Sequence, residues 1–175
     1  MSITERLEYA ETLSPLLLRW EVVAVNRIRR VAERHRLSLN EILVVAELFA
    51  RPHGLPGSEI AVRVGLGSGG ISMLLARLEE RDFVERFPDP LDRRNTIAVA
   101  SPEARRELWP DLLVPDVDLL LTGLDEQQAA AARRFVGAAV DAGIRRAFRA
   151  STRDHRRRQE QRDRRQEARR RRPRA

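Results

Sequence analysis

The chain has 175 residues, 34% of them charged, with three histidines, no cysteine and a formal net charge of +7. At about 150 residues per domain the length suggests one domain. The lack of cysteine excludes disulfide scaffolds, Cys-ligated zinc and thiol nucleophiles, and His35, His53 and His155 lie too far apart for a metal-ligand spacing.

No apolar run exceeds five residues (Ile42–Ala46). Neither a transmembrane helix nor a signal-peptide core is expected, and the class read is a soluble, cytoplasmic, globular protein. The charge is uneven. All 33 basic residues are arginines; residues 151–175 hold 12 of them against four acids, and residues 1–150 hold 21 against 22. The basicity therefore belongs to a tail. A near-neutral body is not read as a nucleic-acid binder on net charge alone.

Ser2 with Glu5 has the form of a capping box. Ser14 before Pro15 reads as a second, stronger helix start. From there Leu17, Trp20, Ala24, Ile28 and Val31 recur every three or four residues, which predicts a helix to about Arg34 with one apolar stripe. Ser38 with Glu41 is another capping box. It opens a helix whose expected core face is Leu39, Ile42, Leu43, Ala46 and Phe49 or Ala50, ended by Pro52. Residues 53–57 read as a loop. Ser58 is expected to cap a short helix through Val64 with Ile60, Ala61 and Val64 inward. Residues 65–67 form a turn. Ser68 is expected to cap a helix to about Arg81 with Ile71, Leu74, Leu75 and Leu78 on one face. Asp82 occupies the terminator position and tolerates a left-handed backbone.

The period then changes from 3.6 to 2. Residues 84–87 and 96–99 alternate around the charged, proline-containing stretch 88–95, which predicts a hairpin with a long tip. Ser101-Pro102 opens a further helix, expected to break at Pro110 and Pro115. Asp125 and Gln128 form a capping pattern before an Ala-rich helix whose expected core side is Ala129, Ala132, Phe135, Val136, Ala139, Val140 and Ile144. The tail 151–175 is read as a disordered or helical extension that buries nothing.

Two short helices joined by a glycine turn and followed by a hairpin make a helix-turn-helix with a wing. The major groove, about 12 Å wide, admits one helix, so the groove-facing side must be polar or small. Ser68, Gly69, Gly70, Ser72, Met73 and Arg77 lie off the apolar stripe and are the candidate DNA contacts. Arg93 and Arg94 at the wing tip suit a narrow minor groove, with Asp92 holding one of them. Arg63 reads equally as a phosphate contact or a surface residue. Leu17, Trp20, Ala24, Ile28, Phe135 and Val140 are the candidate dimer contacts, because the terminal helices are more apolar than the small winged core can cover. No Ser–His–Asp set, phosphate loop or paired carboxylates emerge, and no enzyme or cofactor is expected.

The stretch 58–107 resembles the winged-helix core of the MarR family, the multiple-antibiotic-resistance type regulators of bacteria. The resemblance is carried by residues 68–81 (SGGISMLLARLEER), Val84-Glu85-Arg86, and residues 88–94 (PDPLDRR) followed by a β-patterned stretch and Ser101-Pro102-Glu103. Asp92 and Arg94 match the family's Asp-x-Arg at the wing tip. Asp82 stands where the family often has Gly, Ala100-Ser101 where Leu-Thr is usual, and the Arg-rich tail lies outside the pattern.

The resulting expectation is a mainly α fold with a small β-hairpin. Residues 1–150 form one winged-helix domain, with dimerisation helices at about 3–36 and 102–150 and the winged helix-turn-helix at about 38–100. The function read is a sequence-specific, nucleoid-associated DNA-binding transcriptional regulator. It acts as a homodimer on double-stranded DNA carrying a pseudo-palindromic operator. The resemblance implies a repressor released by a small aromatic or phenolic effector bound between lobe and dimer region. It also implies neither the family's peroxide-sensing branch, for lack of Cys, nor its zinc-sensing branch, for lack of His. The alternatives are a non-catalytic protein-interaction module and a sequence-independent nucleic-acid binder driven by the tail.

Overall fold

A computed structural model describes the backbone of residues 2–90, 95–113 and 117–170, and their side chains except those of Ser68 and residues 154–170. The chain divides into two compact units, Met1–Pro56 with Ser72–Leu113, and Gly57–Ile71 with Val114–Ala175.

In the first unit, α1 (Ile3–Arg34) starts at the Ser2–Glu5 capping box. The second expected start did not form, and Ser14 and Pro15 lie inside one 32-residue helix. Ser14 Oγ instead donates to the Ala10 carbonyl at 2.6 Å. Pro15 withholds one helical bond, but this stretch of α1 is exposed, so the carbonyl left over stays in water. The helix ends at Arg34 with His35 as its cap, and Arg36 just beyond turns left-handed, φ +52°. Leu37 N–H there reaches back to the Ala32 carbonyl at 2.9 Å, the closure that glycine usually provides.

Helix α2 (Leu39–Phe49) opens on the Ser38–Glu41 box. Its core face differs from expectation. Ile42, Val44, Val45, Leu48 and Phe49 are buried, Leu39 is exposed, and Leu43 and Ala46 are half-buried. Nearly every side chain of α2 is apolar, so periodicity could not choose the face; the surrounding packing did.

Residues 53–57 are not simply a loop. β1 (Leu55–Pro56) pairs with β3 (Thr96–Ala100), which also pairs with β2 (Val84–Pro88), giving an antiparallel sheet of order β1-β3-β2. The register sets Leu55 opposite Ala98 and runs from Val84 opposite Ala100 to Pro88 opposite Thr96. Pro56 is tolerated because β1 is an edge strand. Gly54 is required twice over. Its φ is +78°, and a Cβ there would meet Ile97 Cγ2 at 2.5 Å and the Ala98 carbonyl at 2.6 Å.

Ser101 caps α5 (Pro102–Glu107), its Oγ accepting Ala104 N–H at 3.0 Å. The expected break at Pro110 falls after Glu107, and α6 (Trp109–Leu112) carries Pro110 in its first turn. Pro115 lies outside the described residues. Asp111 ties α6 to the end of α1, accepting from Arg34 Nη1 at 2.5 Å and lying 2.8 Å from His35 Nε2. Trp109 packs edge-on to Phe49, with ring centres 5.0 Å apart.

In the second unit, α3 (Gly57–Val64) begins one residue before Ser58, so Ser58 lies in its first turn. Gly65, φ +73°, closes it, with Leu66 N–H bonded to the Ala61 carbonyl at 2.7 Å. Ile60 and Ala61 are buried as expected, and Val64 is only half-buried. The first turn of α4 (Ser68–Glu80) belongs to this unit and the rest to the first. The Gly67 carbonyl accepts from Gly70 and Ile71 N–H, so Gly67 rather than Ser68 occupies the cap position.

After α7 (Val117–Leu121), Asp125 and Gln128 exchange side-chain-to-backbone bonds of 2.8 and 3.0 Å at the start of α8 (Glu126–Arg170). Helix α8 packs on α3. Of its expected core side only Ala129 and Ile144 are half-buried; Ala132, Phe135, Val136, Ala139 and Val140 are exposed. Its backbone continues as helix through the arginine-rich residues to Arg170. Among the described residues, no single helix is long and apolar enough to cross a membrane.

Candidate nucleic-acid interface

Helix α4 separates its two faces cleanly. Ile71, Leu74, Leu75 and Leu78, the predicted stripe, are buried. Gly69, Gly70, Ser72, Met73 and Arg77, the predicted contact residues, are exposed. Gly70, Met73 and Arg77 follow one another at i, i+3 and i+7 and so share one side of the helix. Met73 is 65% exposed, an apolar group at a position where packing offers it nothing. Helix and wing follow directly in the chain. Asp82, φ +58°, ends α4 with Phe83 N–H bonded to the Leu78 carbonyl at 2.9 Å, and Val84 then begins β2. The left-handed terminator expected at Asp82 is therefore present. Ser101 N–H donates to the Phe83 carbonyl at 3.1 Å, and its Oγ donates to the Asp82 carbonyl.

The wing narrows where Asp89 N–H donates to the Asn95 carbonyl at 3.0 Å. The expected contacts Asp92, Arg93 and Arg94 lie outside the described residues, as does the side chain of Ser68.

The arginines of this region divide by what they hold. Arg63 is not a surface residue. Its side chain is 8% exposed, and its guanidinium bonds Glu59 Oε1 through Nε at 3.0 Å and Nη2 at 2.5 Å. Arg81 donates from Nη1 and Nη2 to the Arg36 and His35 carbonyls at 2.9 and 3.0 Å, which satisfies orphan carbonyls at the end of α1. Arg86 on β2 grips Glu79 on α4 through Nε at 2.8 Å and also through Nη2. The hydrogen bond from Arg86 holds the Glu79 carboxyl below its ordinary range.

Arg77 differs. Among the described residues it donates from Nε alone, to Glu41 Oε1 at 3.0 Å, and its side chain is 53% exposed while that of Glu41 is 10% exposed. Glu41 is the third residue of α2. Its Oε2 accepts the Ser38 N–H at 2.7 Å and the Ser38 hydroxyl at 2.8 Å. Burial by itself raises the Glu41 pKa, but the bonds from Ser38 and Arg77 outweigh it and leave the carboxyl below its ordinary range. The capping box was legible in the sequence. Its bond to Arg77 was not, because the two residues are 36 positions apart. Arg81 and Asp111, whose partners also lie tens of positions away, were missed for the same reason; Arg86 reaches Glu79 only seven positions back, but from β2 across the turn to α4.

The predicted dimer residues present a different surface. Trp20 is 50% exposed, Leu17 40%, Phe135 46% and Val140 54%, with Ala24 and Ile28 half-buried.

Comparison with known proteins places the middle of the chain. Residues 37–95 match the model of the MarR family, overlapping the stretch 58–107 that carries the resemblance. A curated relative described as an uncharacterized HTH-type transcriptional regulator, YcgE of Bacillus subtilis (strain 168), is 29% identical over 99 residues. That alignment covers 55% of this chain and 64% of the relative, less than two thirds of the relative's length. Among solved structures, a MepR mutant from a multidrug-resistant S. aureus clinical isolate superposes with a TM-score of 0.64 at 16% identity, covering 74% of this chain and 96% of that one. CouR from Rhodococcus jostii RHA1, bound to p-coumaroyl-CoA, gives 0.51 at 23% identity, covering 73% and 91%. At these identities the likeness to the solved structures is one of fold.

Proposed function

We propose that this chain, whose winged-helix segment 37–95 belongs to the MarR family, is a DNA-binding transcriptional regulator that reads duplex DNA through α4 and grips it with the hairpin β2–β3. The observation that carries this is the division of α4. Its apolar side is spent on the core, and its remaining side is a line of small, thioether and cationic residues with no packing role. Such a face suits a groove whose walls are phosphate and whose floor is a pattern of donors, acceptors and thymine methyls. Gly69 and Gly70 let the start of the helix approach closely. Arg93 and Arg94 with Asp92 at the wing tip, and Ser68 at the start of α4, complete the proposed contact set.

The regulator acts as a homodimer through helices at about 3–36 and 102–150, by way of Leu17, Trp20, Ala24, Ile28, Phe135 and Val140. Large apolar side chains left in water on long helices favour a self-complementary seam. Two copies of α4 then address half-sites roughly 34 Å apart on a pseudo-palindrome. Repression relieved by a small aromatic or phenolic effector is the regulatory form proposed, supported by the fold likeness to CouR, which was solved bound to p-coumaroyl-CoA. Residues 151–175 add sequence-independent affinity, because 12 arginines attract any polyanion but offer no fixed shape for reading bases.

The test is selection from a random duplex library with the full chain, followed by sedimentation and titration at two salt concentrations. An enriched inverted repeat bound by a dimer supports the reading. A chain ending at Ala150 is expected to keep the sequence preference and lose affinity for random DNA, with a shallower salt slope. Binding without any enriched sequence favours a tail-driven polyanion binder, and no binding favours a protein-interaction module.

A further inference from the structure

Resting on the DNA-binding reading above, we propose that Glu41 is a positioning residue for a guanine-reading arginine. The Glu41 carboxylate holds Arg77 by Nε, so that Nη1 and Nη2 are presented together to the O6 and N7 of one guanine in each half-site.

The argument starts from how the arginines are committed. Arg63, Arg81 and Arg86 each use two nitrogens on protein partners. Among the described residues Arg77 uses one, and it is the inner nitrogen of the guanidinium. The two outer nitrogens are the pair whose spacing matches the adjacent acceptors of guanine in the major groove. Arg77 stands on the same side of α4 as Gly70 and Met73, the exposed face, with neither of those residues large enough or charged enough to compete for an acceptor.

The carboxylate that holds it is itself fixed. Glu41 Oε2 is occupied by the Ser38 N–H and hydroxyl, and Oε1 alone faces Arg77. Because Ser38 and Glu41 also build the first turn of α2, the anchor cannot swing without opening a helix end. A long, flexible side chain is thereby tethered near its planar head, and less of its freedom remains to be lost on reaching a base. The same carboxylate costs some affinity for phosphate generally, since it is a negative charge near a polyanion. Removing its charge therefore has opposite effects on reading and on gripping, which a merely structural role does not produce.

The experiment uses the full chain and the duplex enriched by selection. Wild type, Glu41→Gln, Arg77→Ala and the double variant are titrated against that duplex and random DNA. They are also titrated against duplexes carrying adenine or 7-deazaguanine at each guanine in turn. Arg77→Ala is expected to abolish discrimination at one guanine per half-site, about 10–100-fold. Glu41→Gln is expected to lower discrimination at that same guanine by at least about 5-fold, with affinity for random DNA unchanged or higher. The double variant is expected to match Arg77→Ala. An equal loss on every duplex, a loss at a different position, or additive losses overturn the proposal. If thermal melting shows that Glu41→Gln does not fold, Arg77→Lys takes its place. It keeps the charge but lacks the fork, and full retention of guanine discrimination overturns the proposal. A wild type that enriches no sequence overturns the DNA-binding reading along with this one. An enriched sequence read equally by all variants overturns only this one.

Discussion

Helices α4 and α1 carry apolar stripes of similar regularity, and the two stripes end in opposite places. In α4 all four stripe residues are buried, and what remains outside is small, polar or charged apart from the exposed thioether of Met73. In α1 burial is confined to Val31 and Ala32 near its end, while Leu16, Leu17, Leu18, Trp20, Val22 and Val23 are exposed. Helix α8 repeats the second pattern with Phe135, Val136 and Val140. The contrast teaches that one stripe is answered by its own packing and the other stays exposed among the described residues, which is the surface assigned to the proposed dimer. It also separates the residues whose loss is expected to damage folding from those whose loss is expected to damage the proposed association.

The largest way to break the contrast is to charge the unanswered stripe. If α1 forms the proposed dimer seam, Leu17→Glu with Ile28→Glu is expected to abolish the dimer by sedimentation, since two carboxylates in a buried apolar seam are severely unfavourable. An intact dimer in that variant removes α1 from the interface. The answered core behaves differently. Leu48 is fully buried in α2, and Leu48→Ala is expected to lower stability by about 2–5 kcal/mol in denaturant titration. Leu17→Ala is expected to leave the stability of isolated monomer nearly unchanged and to weaken self-association.

A smaller loss is expected at the sheet edge. Gly54→Ala forces a Cβ against β3 at a left-handed φ, and more than about 1 kcal/mol should be lost, read as a lower denaturant midpoint. A midpoint equal to wild type shows that β1 does not need its close approach to β3.

The smallest expected effect is a pH slope. The hydrogen bond from His35, with Arg34 second, holds the Asp111 carboxyl below its ordinary range. A carboxyl whose folded pKa is depressed adds stability that is fully present above its unfolded pKa, about 4. That stability is lost as pH falls through the folded value. Asp111→Asn should therefore lower stability slightly at neutral pH, flatten the loss on acidification and approach wild type at low pH. Melting at a series of pH values checks this, and identical acid slopes in both proteins count against the Asp111 link.

Much of the fold was legible because local chemistry repeats. The Ser2, Ser38, Ser101 and Asp125 caps stood in the sequence as spacing patterns and formed as hydrogen bonds. The α4 stripe was legible because polar and apolar residues alternate strongly there. In α2 they do not, and the face was misassigned. Of the candidate contacts, Gly69, Gly70, Ser72, Met73 and Arg77 could be read as lying off the stripe. What Arg77 touches could not.

The sequence by itself determined helix starts, the period of each stripe, the change to a hairpin after Asp82 and the seat of the excess charge, because each depends on residues within a few positions. Tertiary structure decided that Pro15 is absorbed into one long α1, that Leu55 and Pro56 become an edge strand and that α2 buries Val44, Val45 and Leu48. It also decided that Glu41 answers Arg77 and Asp111 answers Arg34 and His35. Each of these depends on which surface arrives opposite. That is a matter of chain closure over tens of residues, to which spacing and propensity are blind.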